Sequence, residues 1–527
     1  MTPVDDHNDV HGLIGDRAEL LKGAAGLAVV AGLAGAGAKN VLAATVQTPR
    51  RGGVLRFASG EADVTEKLDP ALLLTSNATS ISSALYEGLV RVDWKRNVTP
   101  WLAEKWTVRP DAKVWTFTLR RGVRFHSGKP LTAQDVAYSI GRLLDSKLGS
   151  PAFSRLTKSV TKAGLRVVDA RTIRFVLKQP DAFLTLALAQ AWMSIVPAGT
   201  TDFSDGNGTG PFKLKSWNPG LNWEVVRNEN YWLKPLPYLD GIRAVVIPEQ
   251  ATKLQSVVSG NSDLADRLNP SLVPTARSNS AVRLLIGPNQ AHFHIGMNTT
   301  LEPFTDPRVI RAVKHAVDRR SLLRAVTQGP GILTTDTPAP STDALYPPGL
   351  GVRKQNLAES RRLLAQAGFA KGIDLTLFSS EIAGGMSDFA AAFKEVVAPA
   401  GIRVTIQQDD PGTFYSRRWL QAPMFVSYWF NRHPNEILNL TYASTAPFNE
   451  GMIKNPKLDR LLSQGAATVD PKKQKKFFQQ ALRVVADEHA SMIPFFIDAV
   501  WVAKRRVRGV TVDPERFVRF DRGWLAS

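Results

Sequence analysis

The stretch from Asn207 to Trp232, NGTGPFKLKSWNPGLNWEVVRNENYW, constrains this chain more than any other, because its turn residues leave the backbone few routes. Gly208 and Gly210 flank Thr209, and Pro211 removes an N–H, so a sharp turn must precede a strand. Phe212, Leu214 and Trp217 are then interleaved with Lys213, Lys215 and Ser216. Asn218-Pro219-Gly220 reverses the chain, and Trp223 to Val226 runs back. Alternation on both sides of such a turn predicts a β-hairpin, closed by Arg227 to Trp232.

A hairpin needs a core to lie on, and 527 residues with 44% hydrophobic and 21% charged side chains are too many for one core, so two or three domains are expected. There is no cysteine, hence no thiol for a disulfide or for a lipid-anchored N-terminus. The net charge is +19; residues 1–44 carry five acids and three bases, so the remainder carries +21. A nucleic-acid partner is not expected from this charge, because Lys and Arg are scattered and no nucleic-acid-binding motif is present.

In chain order, residues 1–44 have the layout of a cleaved export signal. A polar start with Arg17 and Lys22 leads to the Gly- and Ala-rich run Gly23 to Ala38, and small residues at Val41-Leu42-Ala43-Ala44 offer a cleavage site near Ala43 or Ala44. Asp16 to Lys22 resembles a twin-arginine box with Ala18 in place of the second arginine, which leaves the export route open. Val54, Leu55 and Phe57 predict a first strand, followed by a loop from Ala58 to Pro70. Ser76-Asn77 is expected to cap a helix through Glu87, and Thr132 with Asp135 to form a capping box for a helix through Leu144. Gln250 to Ser259 predicts a helix closed by Gly260. Around Arg283 to Met297 two apolar strands flank the polar Gly287-Pro288-Asn289-Gln290. Asp306-Pro307, Asn455-Pro456 and Asp470-Pro471 each announce a helix start. Strand Asp374 to Ser379, helix Asp388 to Ala398 and strand Arg403 to Gln407 predict a βαβ unit, and Met492 to Lys504 a long buried strand.

Several of these blocks, in this order, resemble the signatures of the extracytoplasmic solute-binding proteins that serve ABC importers of the dipeptide/oligopeptide class. The resemblance is carried by Leu85-Tyr86-Glu87-Gly88-Leu89, by Pro100 to Trp106 (PWLAEKW), by Phe117 to Val136 (FTLRRGVRFHSGKPLTAQDV), by the Asn207–Trp232 hairpin, and by Met297-Asn298-Thr299 with Pro303-Phe304 and Asp306 to Arg319. It covers roughly residues 50 to 510. It implies a two-lobed α/β flytrap with an extra α+β subdomain inserted in lobe I. Residues 45–70, 206–285 and 495–527 would form lobe I, 71–205 the inserted subdomain and 286–494 lobe II, with chain crossings near residues 290 and 495. It also implies a periplasmic monomer that binds a small molecule or peptide and delivers it to an ABC permease and its ATPase subunits, touching the membrane only through the permease. No cofactor or catalysis is expected. A sensor ligand-binding module and, more remotely, a hydrolase on the same scaffold are the alternatives.

There is no HExxH, GxSxG, Walker or dinucleotide motif. His292 and His294 face one side of an apparent strand and could begin a metal site, but no third ligand is near in sequence. His126 sits in a turn typical of the family, where a structural role is expected. Phe414, Tyr415, Trp419, Tyr428, Trp429 and Phe430 crowd around Asn431, Arg432 and His433. Large rings around a few polar groups suit a small-molecule site, although about half such rings would serve only as core. Tyr415, Trp419, Trp429, Asn431 and Arg432 are the expected ligand contacts, joined by Ser59 from the loop that lies at the cleft mouth in the family. Peptide-binding members hold the ligand's α-ammonium with an aspartate in a "W..D...DP" loop; the matching Ser427 to Pro434 has no acid, and Arg432 stands there instead. An anionic or neutral ligand group is therefore expected, unless Arg432 is spent on a salt bridge to Glu436 or Asp409.

Overall fold

The expected hairpin forms the outer edge of the principal sheet. In the computed structural model, which describes residues 48–93, 97–328, 331–512 and 518–527 (289 and 290 by backbone alone), Phe212–Asn218 pairs antiparallel with Asn222–Arg227. The export signal expected over residues 1–44 lies outside the described residues. Gly220 turns the hairpin at φ +71°, in the left-handed region that glycine enters without strain. The glycines before it answer to a close approach. A Cβ on Gly208 would lie 2.0 Å from the carbonyl oxygen of Leu85, and one on Gly210 2.4 Å from that of Ala84.

That approach brings the Leu85–Leu89 block against the hairpin, and Glu87 is what holds it. Its buried carboxylate accepts from Trp101 Nε1 (2.7 Å), Tyr231 Oη (2.8 Å), Trp232 Nε1 (2.9 Å), Thr209 Oγ1 (2.9 Å) and Arg91 Nη2 (3.2 Å). Segments more than a hundred residues apart in sequence thus converge on one acid. His126 closes the same turn. Its Nε2 faces Gly210 O at 3.1 Å while Nδ1 accepts from Gly208 N at 3.3 Å, and burial pushes the imidazole down to about 4.

Twelve strands make the main sheet, in the order Ile402–Gln408, Ile373–Ser379, Met424–Phe430, Val282–Met297, Phe495–Lys504, Leu264–Ala265, Val54–Ser59, Gly241–Val246, Asn222–Arg227 and Phe212–Asn218, with Gly331–Leu333 and Ser491–Met492 as side pairings. The polar Gly287 to Gln290 does not end a strand as expected. Val282–Met297 runs through as one strand of 16 residues, and the irregularity is absorbed by a register shift between Gly287 and Ala291 against Phe495–Lys504. Conversely the strand expected from Met492 to Lys504 is broken before Phe495, where Pro494 lacks a ladder donor.

One end of this sheet packs Phe57 against Trp501 (6.1 Å between rings), Trp223 (6.1 Å) and Phe520 (5.7 Å), pairs each contributing about 0.5–1.5 kcal/mol beyond their burial. The other end is the expected βαβ unit, Ile373–Ser379, Met386–Val397 and Ile402–Gln408 with its strands parallel, covered by Pro307–Ala316 and Arg319–Thr327. The structure is the two-lobed α/β fold that the sequence implies. Residues 103–176 hold a separate antiparallel sheet, Ala103–Val108, Val114–Leu119, Thr172–Val176 and Leu165–Asp169 in spatial order. Its core is continuous with the helices Pro434–Thr441, Pro456–Ala467 and Pro471–Glu488: Phe183 lies 5.2 Å from Phe478, and Ala182 N donates to Ala466 O at 2.9 Å.

All three Asx-Pro helix starts are present, with Asp306, Asn455 and Asp470 accepting from the first-turn N–H groups. Asp410-Pro411 and His433-Pro434 use the same device. Thr132 and Asp135 form the capping box. The helix expected to be capped by Ser76-Asn77 is instead capped by Thr75, because Asn77 Oδ1 is taken by Trp223 Nε1 at 2.9 Å. No helix among the described residues is long and apolar enough to cross a membrane.

Two outcomes follow for stability. Glu87→Ala strands the indole and hydroxyl donors around it and should cost roughly 3–5 kcal/mol, read as a lower urea midpoint at unchanged m. Burial holds His126 at about 4 and His489 at about 3, and His292 far below its ordinary value, whereas the unfolded chain protonates each near 6.5. The unfolded state therefore binds more protons, and stability should fall as pH drops below about 6.5, by up to about 1.4 kcal/mol per pH unit for each histidine. A thermal midpoint flat between pH 7 and 5 would contradict these environments.

Candidate functional site

The strand Met424–Phe430 pairs along its length with Val282–Met297 on one side, but with its parallel neighbour Ile373–Ser379 only at Phe425. Its last residues therefore stand at the carboxyl end of the strands with one side open, a place where α/β sheets characteristically take ligands. A cavity of about 230 Å³ lies there, lined by Ile382, Met386, Tyr415, Trp419, Trp429 and Arg432, with Phe414 and Ser427 to Phe430 completing the wall. Cavities for drug-sized ligands run to about 300–1,000 Å³, so this one holds part of a peptide-sized molecule or the whole of a smaller one.

Four of the six expected contact residues thus come together. Tyr415 and Trp419 meet edge-on at 5.4 Å, Trp419 and Trp429 lie 6.4 Å apart, and Phe448 stacks on Trp419 at 5.2 Å. Tyr415 is 44% exposed at the mouth. Its phenol is pushed up to about 12 by partial burial, with Tyr428 and the charge of Glu450 adding to it. Phe414 is core, packed with Ala422 and Phe425. Asn431 is buried beside the cavity and does not line it.

Ser59 lies elsewhere. Its hydroxyl donates to Asp266 (3.1 Å), whose carboxylate also takes Ser76 Oγ (3.2 Å), Gly60 N (2.9 Å) and the buried Lys253 Nζ (2.9 Å). The serine therefore pins the start of the 58–70 loop. Its side chain is committed to Asp266, and it does not line the aromatic cavity.

Behind the aromatic wall is an acid that sequence reasoning missed. Glu450 is 2% exposed and accepts from Trp419 Nε1 (2.7 Å), Ser427 Oγ (2.6 Å) and His294 Nε2. Burial alone would push its carboxyl up; the charge and hydrogen bond of His294, with the two other donors, outweigh this and hold it below the ordinary value. Glu450 and Phe448 sit in a turn between helices, where no periodicity or motif marks them.

His292 and His294 do share a face, 5.5 Å apart, but His294 is committed to Glu450. Among the described residues no three metal-ligating side chains gather. Arg432 donates Nε to Glu436 Oε1 at 2.9 Å, and Gln190 Nε2 holds the other oxygen of that carboxylate at 2.9 Å. Of the two salt-bridge partners considered for it, Glu436 is the one used; Asp409 pairs with Arg418 at 2.9 Å. The guanidinium carbon lies 5.8 Å from the Trp429 ring.

The family model for the middle part of bacterial extracellular solute-binding proteins, family 5, matches residues 97–449. The glutathione-binding protein GsiB of Salmonella choleraesuis (strain SC-B67) is 25% identical over 486 residues, covering 86% of this chain and 91% of the relative. Among solved structures, the periplasmic binding protein DppA of Helicobacter pylori in complex with the peptide STSA is similar with a TM-score of 0.74 at 24% identity, covering 91% of this chain and 99% of that one. The substrate-binding protein CtaP of Listeria monocytogenes reaches 0.80 at 20% identity, covering 91% and 100%. At these identities the structural likenesses establish the fold.

Glu450→Gln turns one acceptor oxygen into an NH₂ facing donors. It should destabilise the protein by about 1–3 kcal/mol and loosen Trp419, visible as a red-shifted indole emission. Unchanged emission and an unchanged urea midpoint would remove Glu450 as the support of this wall.

Proposed function

Because the chain belongs to the bacterial extracellular solute-binding proteins of family 5, we propose that it is the capture component of an ABC importer, taking a peptide-sized solute at the aromatic cavity and handing it to a membrane permease and its ATPase subunits. The observation that carries this reading is the cavity itself. Tyr415, Trp419 and Trp429 supply apolar wall, and Arg432 supplies a polar anchor held in place by Glu436. Tyr415, Trp419, Trp429 and Arg432 are the proposed contacts.

Binding without turnover suits the chemistry of the wall. The Ser427 hydroxyl is spent on Glu450, and Glu450 already accepts three donors, so neither is poised as nucleophile or base. Residues 45–70, 206–285 and 495–527 are proposed as lobe I, 71–205 as its inserted subdomain and 286–494 as lobe II, with the 71–205 core packed on the helices Pro434–Thr441, Pro456–Ala467 and Pro471–Glu488 and any opening hinged near residues 290 and 495. Residues 1–44 are proposed as the signal that sends a monomer to the periplasm. Glutathione and short peptides are the first compounds to try, since relatives of this chain bind them.

Native mass spectrometry of protein freshly purified from the periplasmic fraction should show a small organic molecule retained, and scattering with that molecule added back should give a smaller radius of gyration. A radius unchanged at saturation would count against capture between lobes.

A further inference from the structure

The wall of the cavity is short of acceptors. Trp429 Nε1 and Arg432 Nη1 are buried and have no hydrogen-bond partner among the described residues, and neither ring nitrogen of the fully buried His292 has one. His292 stands directly opposite Trp429 in the antiparallel pairing, which puts both side chains on one face of the sheet. An orphaned buried donor costs about 1–3 kcal/mol, so two on residues lining the cavity, with a third directly opposite one of them, call for an explanation.

The direction of the imbalance identifies the missing partner. An indole and a guanidinium can only donate, and a neutral imidazole adds one further N–H. Carboxylates beside the wall are already engaged, Glu450 by Trp419, Ser427 and His294, Glu436 by Arg432 Nε and Gln190, and Glu381, next to Ile382, by the N–H groups of Gly385 and Ser387. A second cation stands close by: Arg267 lies 5.7 Å over the ring of Phe430, with Glu61 as a partner at 3.5 Å. An ammonium entering here would meet donors, and an anion would complete them.

Resting on the solute-binding reading above, we propose that this end of the cavity is a carboxylate subsite: the solute's anionic group accepts from Trp429 Nε1 and Arg432 Nη1, with His292 as the donor behind them. The protein then selects solutes by a free carboxylate and does not require a free amine. Arg432 forks from Glu436 onto the ligand, its two edges serving structure and binding at once.

The test uses calorimetric titration of the full mature protein with two matched probe sets: N-acetylated di- and tripeptides, which keep the carboxylate, and the same peptides as C-terminal amides with free amines. The acids should bind at least about 10-fold more tightly than the amides. Trp429→Phe, which keeps the ring and loses the N–H, and Arg432→Gln should each weaken the acids by about 10- to 100-fold, at least about 10-fold more than they weaken any amide. Urea unfolding checks that both variants are folded. Amides binding as well as or better than acids would overturn the carboxylate subsite while leaving solute binding intact, as would acid binding indifferent to both variants. Failure of both sets together with no molecule retained in native mass spectrometry would overturn the underlying reading too.

Discussion

The antiparallel ladder between Val282–Met297 and Phe495–Lys504 is the interaction on which the rest of this molecule depends. It pairs Val282 with Lys504 and continues in register to Gly287 with Ala499, then resumes one shift later at Ala291 with Ile497. Beyond that point the first strand has a second partner in Met424–Phe430. Without this ladder the sheet separates into one half carrying the Asn207–Trp232 hairpin and another carrying the βαβ unit. The shift at Gly287 to Ala291 matters because a bulge bends its strand and raises its twist. It also decides which residues follow on each face. His292 and His294 lie opposite Trp429 and Ser427 in the pairing with Met424–Phe430, so the position of the cavity's rear wall is a consequence of that pairing.

Three buried carboxylates then tie the segments together. Glu87 gathers five donors at the hairpin, Asp266 four at the start of the 58–70 loop, and Glu450 three behind the aromatic wall. Taking a carboxylate out of water costs several kcal/mol, and only a full set of donors offsets it. Such sites add little net stability compared with apolar packing. What they add is uniqueness, since each is satisfied in one arrangement of distant segments. The Trp419 indole, for instance, is oriented by Glu450 as well as by the rings it touches.

These carboxylates also mark the boundary of what could be read from sequence. The hairpin, the capping box, the Asx-Pro helix starts and the βαβ unit are local signals, set by turn residues and by periodicity over a dozen positions, and the structure has them. The clustering of Tyr415, Trp419, Trp429 and Arg432 was legible because the four fall within eighteen residues. Glu450 and Phe448 belong to the same wall but come from a turn whose composition says nothing. Ser59 falls outside this wall for a related reason: its hydroxyl is held by Asp266, 207 residues away. Thr75 displaced Ser76 as helix cap because a tryptophan from the hairpin claimed Asn77. In each case a long-range partner decided the outcome, and a sequence read locally has no access to it.

The same logic bears on Arg432, for which anchoring and salt bridging looked like competing roles. A long flexible side chain carries about 2 kcal/mol of rotamer entropy, which a ligand would have to overcome if the guanidinium were loose. Glu436 fixes the Nε edge and Gln190 fixes Glu436, so the other edge is presented in one orientation before any solute arrives. The pairing costs some positive potential and gains geometry. Gln190 belongs to the 71–205 segment and Glu436 to the helix Pro434–Thr441, whose core is continuous with that segment. The orientation of the anchor therefore depends on a contact outside the cavity. A change at residue 190, remote in sequence from every ring in the wall, would reach the site through one carboxylate.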